Sequence, residues 1–135
     1  DGDLLTSANM KKIKDESIMW SHTIDWKHML KKDGSYFFDS PWYASMSCVV
    51  RMSKDLINEI NIFAQKEGTL CFLEFFFNTL AMKKKLKIVV VKELKYIVFR
   101  HDWTIESIDE KYMYHPIKDI SKQKMFRKIL IGKDL

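Results

Sequence analysis

Apolar positions change their period several times along the chain, and each change predicts an element. Leu56, Ile57, Ile60, Phe63 and Ala64 recur at helical spacing. Ser53 stands before them with a hydroxyl able to accept a free backbone N–H, and Gly68 follows as a stop. The spacing predicts a helix over Ser53–Lys66, packed on a sheet through Leu56, Ile60 and Phe63. A second helix is expected from Leu70 to Lys84, capped by Thr69, with Leu73, Phe76, Phe77 and Leu80 as its apolar stripe. Tyr43–Met52, Ile88–Val91 and Leu94–Arg100 are rich in β-branched and aromatic residues and read as strands.

The flanks are less periodic. Residues 8–33 mix Met, Trp and His with Lys and Asp, and read as short helical pieces and loops. Gly34-Ser35 and Ser40-Pro41 mark turns. A short helix is expected near Ile105–Lys111. His115-Pro116 ends that element, because the residue before Pro avoids helical geometry. Ser121–Ile131 reads as a helical or extended tail. The order predicts an α/β or α+β sheet domain rather than a helical bundle.

Composition narrows this picture. A chain of 135 residues is one domain or a piece of one, and 47% hydrophobic residues suffice for a packed core. It opens at Asp1 without Met, so a part of something longer is expected. The net charge of +5 is uneven: residues 1–67 carry 9 Lys and Arg against 10 Asp and Glu, and residues 68–135 carry 14 against 8. A basic half can meet phosphate or present a solvated lysine face. Cys48 and Cys71 sit in apolar surroundings and read as buried free thiols, which favours a reducing, cytoplasmic compartment. The longest apolar run, Leu70–Phe77, is interrupted by Glu74 and falls far short of the roughly 20 residues that span a bilayer. The Lys, Ile, Asn and Phe bias fits an AT-rich genome, including that of a large virus.

Three positions stand out chemically. Glu74 is a lone carboxylate among Phe72, Phe75, Phe76 and Phe77. Apolar surroundings disfavour its charged form, which suits a general base or a grip on a substrate hydroxyl. It is expected at the wall of a cleft; the plainer alternative is a solvent-facing stripe. His115-Pro116-Ile117-Lys118 offers an imidazole for a divalent metal and an ammonium for a diphosphate, with Pro116 fixing the approach. These two side chains are expected to face the same pocket as Glu74. Arg51 precedes a capped helix, where anions are favoured, or pairs with Asp55 one turn on. Trp42 and Trp103 flank these elements and could stack on a sugar or base, although such rings are more often packing. Asp1-Gly2-Asp3 has the spacing of an acidic metal motif without the apolar strand that normally precedes one. No glycine-rich phosphate loop, nucleophile elbow or paired Cys/His zinc spacing occurs.

Together these motifs resemble the carboxy-terminal part of GT-A-type glycosyltransferases of bacteria and large DNA viruses. The resemblance rests on the Trp42–Val50 segment, Arg51-Met52-Ser53, Gly68 through Glu74, and Tyr114-His115-Pro116-Ile117-Lys118. Asp3-Leu4-Leu5-Thr6 resembles the segment shortly after that family's acidic motif. The resemblance implies a GT-A-like mixed sheet flanked by helices. It also implies a nucleotide-sugar donor, a glycan or other hydroxyl acceptor, and a divalent Mn²⁺ or Mg²⁺ ion. Glu74 would serve the acceptor side, His115 the metal, and Arg51 and Lys118 the donor phosphates. The nucleotide-binding strands are not found, and such a domain needs roughly 200 residues by analogy with other nucleotide-binding sheets. Residues 1–135 therefore read as a single domain or the carboxy-terminal part of one. Two competing readings are a non-enzymatic basic module for nucleic acid or an acidic partner, and a structural subunit of a larger assembly.

Overall fold

A computed structural model of the chain describes residues 2–7, 10–14, 29–99, 104, 106, 108–109, 111–115 and 117–132. By packing, the chain divides into two compact units, Asp1–Lys92 and Glu93–Leu135. Both mix helix and strand, and the architecture is α+β.

The first unit is organised by a strand at its amino-terminal end. β1 (Leu4–Ser7) lies between β4 (Arg51–Met52) and β5 (Ile88–Val91). It runs antiparallel to β4 and parallel to β5, pairing Leu4 with Ile88 and Ser7 with Val91. Parallel neighbours need a long crossover, and two helices lie between β1 and β5 in the sequence. Asp3 locks the entry of β1: its N–H donates to the Lys87 carbonyl at 2.7 Å, and the Lys87 N–H donates to its carboxylate at 2.8 Å. Gly2 is needed here, because a Cβ would lie 2.6 Å from Val89 Cγ2. A second, two-stranded antiparallel sheet joins β2 (Lys11–Ile13) to β3 (Trp42–Ala44).

The helix expected after Ser53 is present as α1 (Lys54–Glu67). The Ser53 hydroxyl accepts from the Leu56 N–H at 3.2 Å, and Gly68 ends the helix in the left-handed conformation with φ of 69°. That conformation strains any residue with a Cβ. Leu56 and Phe63 are buried and Ile60 packs beside them, as the spacing predicted. Ile57, counted in the same stripe, is 54% exposed. It follows Leu56 by one position, and a step of one residue rotates a side chain off the buried face.

α2 (Leu73–Lys83) starts three residues later than expected. Thr69 does not cap it; its hydroxyl donates to the Leu70 carbonyl, and Phe72 holds the capping position with no side-chain bond. The buried face also differs. Leu73 is 44% exposed, while Phe75, Phe76, Thr79 and Leu80 face inward. Cys71, just before the helix, is itself buried in the core.

The core joins Leu4, Trp42, Leu56, Phe63, Phe76 and Leu80. Phe38 stacks on Phe63 with centroids 5.3 Å apart, and Phe63 meets Phe76 at 4.8 Å. Offset and tilted ring pairs of this kind are favourable beyond the area they bury.

Other expectations are corrected. The strand expected over Tyr43–Met52 is two short strands in two different sheets, because the segment between them bonds to α2 instead of to a strand partner. Short helical pieces and loops were expected over 8–33; residues 11–13 instead form β2, residues 31–33 are loop and turn, and residues 8–9 and 15–28 lie outside the described residues. Leu94–Arg100 opens as a 3-10 turn (Lys92–Tyr96) before β6 (Ile97–Phe99).

In the second unit β6 pairs in parallel with β7 (Met113–His115), so His115 ends a strand rather than a helix. The short helix expected near Ile105–Lys111 falls partly outside the described residues; Ile108 and Asp109 are not helical. The tail is helical, as α3 (Ile120–Ile131), with Asp119 as its cap. Phe126 and Ile108 centre a small core with Tyr114, Met125 and Ile129.

Candidate functional site

The first unit carries a buried polar cluster at the carboxyl end of β1. Thr6, Ser7, Ser45, Asn78 and Thr79 are all buried. Leu4 and Thr6 share one face of the strand by its two-residue period, so the same face offers an apolar and then a hydroxyl side chain. The Thr6 and Ser45 hydroxyls are hydrogen-bonded to each other. The Asn78 amide donates to the Ser45 hydroxyl at 2.8 Å and to the Glu74 carbonyl at 3.1 Å. The Ser45 N–H donates to the same carbonyl at 3.0 Å. Thr79 accepts from the Tyr43 N–H at 2.9 Å and donates back to the Tyr43 carbonyl at 3.2 Å. Ser7 reaches the Met46 carbonyl at 3.2 Å.

These bonds explain why the chain leaves β3 after Ala44. Its next backbone donor serves the first turn of α2, and the hydroxyls of that segment complete the contact. The buried polar groups are thereby satisfied, as buried groups must be. One atom is the exception: the Asn78 side-chain oxygen is buried and has no hydrogen-bond partner among the described residues.

Glu74 sits on the first turn of α2 and is half-buried. A carboxylate there is favoured by the helix dipole. The sealed-core position is excluded. Cys48, in the turn beyond Ser45, has its thiol pKa pushed up, first by burial and then by the negative charge of Glu74. Cys71 is pushed up to about 12, mainly by burial and secondarily by Glu67. Both cysteines are free thiols as expected, but only Cys71 is buried; Cys48 is half-buried.

Arg51 lies on β4, exposed, two residues before the cap of α1. Among the described residues it makes no ion pair with Asp55. Trp42 is 5% exposed, its indole N–H donates to the Phe38 carbonyl at 2.8 Å, and its ring lies against Tyr36. Its packing is that of a core residue. Trp103 lies outside the described residues. His115 and Lys118 belong to the second unit, on β7 and in the exposed segment after it. Glu74 belongs to the first unit, so the three residues expected in one pocket fall in different units.

Sequence reasoning passed over Ser45, Thr6 and Thr79. A faint signal existed for Asn78, which stands one turn beyond Glu74 in an otherwise apolar helix. Asp3, which looked like a loose terminal acid, is the lock of β1. Its carboxyl pKa is lowered by the bonds from Lys87 and Ser53.

The described residues contain no group of three or more His, Cys, Asp or Glu side chains able to hold a metal ion. Among the described residues no helix is long and apolar enough to cross a membrane. No family model, curated protein or solved structure matches the chain.

Proposed function

We propose that the chain is part of a glycosyltransferase-like protein, with a GT-A-like sheet, that moves a sugar from a nucleotide-sugar donor to a hydroxyl acceptor. Glu74 serves the acceptor side. The observation that supports this reading is the setting of Glu74: half-buried, at a helix start, held by its own carbonyl next to the carboxyl end of a strand with a parallel neighbour. Open α/β sheets bind ligands outside the carboxyl ends of their strands. A partly desolvated carboxylate there can take the proton of an acceptor hydroxyl as its oxygen bonds to the anomeric carbon and the diphosphate leaves.

Arg51 and Lys118, both exposed cations, are assigned to the donor phosphates. His115 is assigned to a divalent ion, which would neutralise charge on the leaving diphosphate. Among the described residues no donor set by itself fits such an ion.

A second reading has one observation in its favour: Lys83, Lys85 and Lys87 are exposed around the end of α2. A run of this kind can hold a polyanion without catalysis.

Calorimetry with nucleotide-sugars, with and without Mn²⁺, tests the donor side. Expected is metal-dependent binding weakened by His115→Ala and by Lys118→Ala. Glu74→Gln is expected to fold normally and to lose sugar transfer. Normal folding with unchanged transfer removes Glu74 from the reaction. Salt-sensitive binding of generic RNA or DNA, without nucleotide-sugar binding, favours the second reading.

A further inference from the structure

We propose that Asn78 is a positioning residue for Glu74, holding the first turn of α2 against the segment after β3 and so fixing where the Glu74 carboxylate stands. The proposal deepens the reading of Glu74 as the acceptor-side carboxylate and rests on it for its functional meaning.

Three observations carry it. The Asn78 amide group bonds two acceptors at once, the Ser45 hydroxyl and the Glu74 carbonyl. The Ser45 N–H converges on that same carbonyl, so residue 74 is gripped from its own helix and from a segment 29 positions earlier in the chain. Asn78 is 1% exposed and its oxygen has no hydrogen-bond partner among the described residues. A buried polar group left half-satisfied costs stability. An apolar residue of similar size would fill this place in an apolar helix without that cost. The side chain is thus poorly explained by packing alone and well explained by what its amide holds. Ser45 extends the grip to Thr6 on β1, so the carboxylate is referenced to the central strand of the sheet.

Cys48 provides a readout that needs no substrate. Burial first, and then the charge of the Glu74 carboxylate, oppose formation of its thiolate. Iodoacetamide alkylation, followed as a function of pH and assigned to Cys48 by peptide mass, reports that coupling, because the thiolate is the reactive form. Buried Cys71 is resolved as a separate peptide. Glu74→Gln is expected to speed Cys48 alkylation about twofold or more at pH 8. Asn78→Leu is expected to speed it in the same direction. In the Glu74→Gln background, Asn78→Leu should add nothing, since it acts through the carboxylate. A merely structural role would change Cys48 equally in both backgrounds, and that result overturns the proposal. So does a folded Asn78→Leu protein with Cys48 unchanged. If Asn78→Leu does not melt cooperatively, Asn78→Ser, which is smaller and still polar, carries the same cycle. Loss of the proposed transferase function would appear separately, as unchanged transfer in Glu74→Gln with the Cys48 cycle intact.

Discussion

α1 and α2 follow one another in the chain and pack in the same core, yet they are built on opposite terms. α1 carries its instructions locally: a Ser53 cap, a Gly68 stop, a buried stripe and a polar face. α2 has no side-chain cap, exposes Leu73 and Met82, and buries Asn78 and Thr79. Its polar residues face inward because they bond to β3 and the segment after it. A helix stabilised by its own ends can form wherever its apolar face finds a surface. A helix stabilised by buried side-chain bonds has one position and one rotation. α2 bears Glu74, the residue whose orientation matters most to the proposed chemistry.

The largest test of this contrast is in the shared core. Phe76 on α2 is fully buried and meets Phe63 and Phe38, so Phe76→Ala is expected to cost about 3–5 kcal/mol in urea unfolding. Leu56→Ala on α1 should cost about 2–5 kcal/mol. A negligible loss at either site would mean that its helix does not contribute to the common core.

Thr79→Val keeps shape but removes both bonds to Tyr43. The expected loss is about 1–3 kcal/mol, because a partly buried backbone N–H is left without its partner. Unchanged stability would show that the Thr79 bonds to Tyr43 do not help to hold α2.

Caps give a smaller and sharper difference. Ser53→Ala is expected to cost about 1 kcal/mol, since its hydroxyl holds the Leu56 N–H. Thr69→Ala should change stability by less than about 0.5 kcal/mol, because Thr69 is exposed and caps nothing. Equal losses would restore Thr69 as the start of α2.

The smallest effect is in the second unit. Asp119 caps α3 through the Ser121 hydroxyl and the backbone N–H groups of Ser121 and Lys122, and these bonds lower its pKa from 3.8. A lowered carboxyl pKa stabilises the folded form above the unfolded value and loses that contribution as pH falls through the folded one. Helicity of α3, followed by circular dichroism, should therefore decline below about pH 4. Asp119→Asn, which still accepts a bond, should remove that pH dependence. A decline of the same size in Asp119→Asn assigns it to another group.

Legibility follows the same division. α1 was readable to within a residue, and Ile88–Val91 as a strand, because caps, stops and β-branched runs act over a few neighbouring positions. Glu74 was readable as a candidate because a charge inside a run of phenylalanines is visible without coordinates. Its support was not. Ser45 looked like a residue of a continuous strand, and nothing in the sequence marked Thr6 as its partner. The exposure of Leu73 was equally hidden, since helical spacing places it with Phe76 and Leu80.

The amino-acid sequence by itself determined where α1 starts and stops, the apolar residues that build the core, and the isolation of Glu74. The tertiary structure decided that β1 is the central strand, that the chain breaks after Ala44, and that α2 buries an amide and a hydroxyl. The physical reason is range. A cap such as Ser53 acts three residues away, whereas Asn78 finds Ser45 across 33 positions and Asp3 finds Lys87 across 84. Such partners are chosen only when a folded core has brought them together, and until then a buried asparagine and an exposed one read the same.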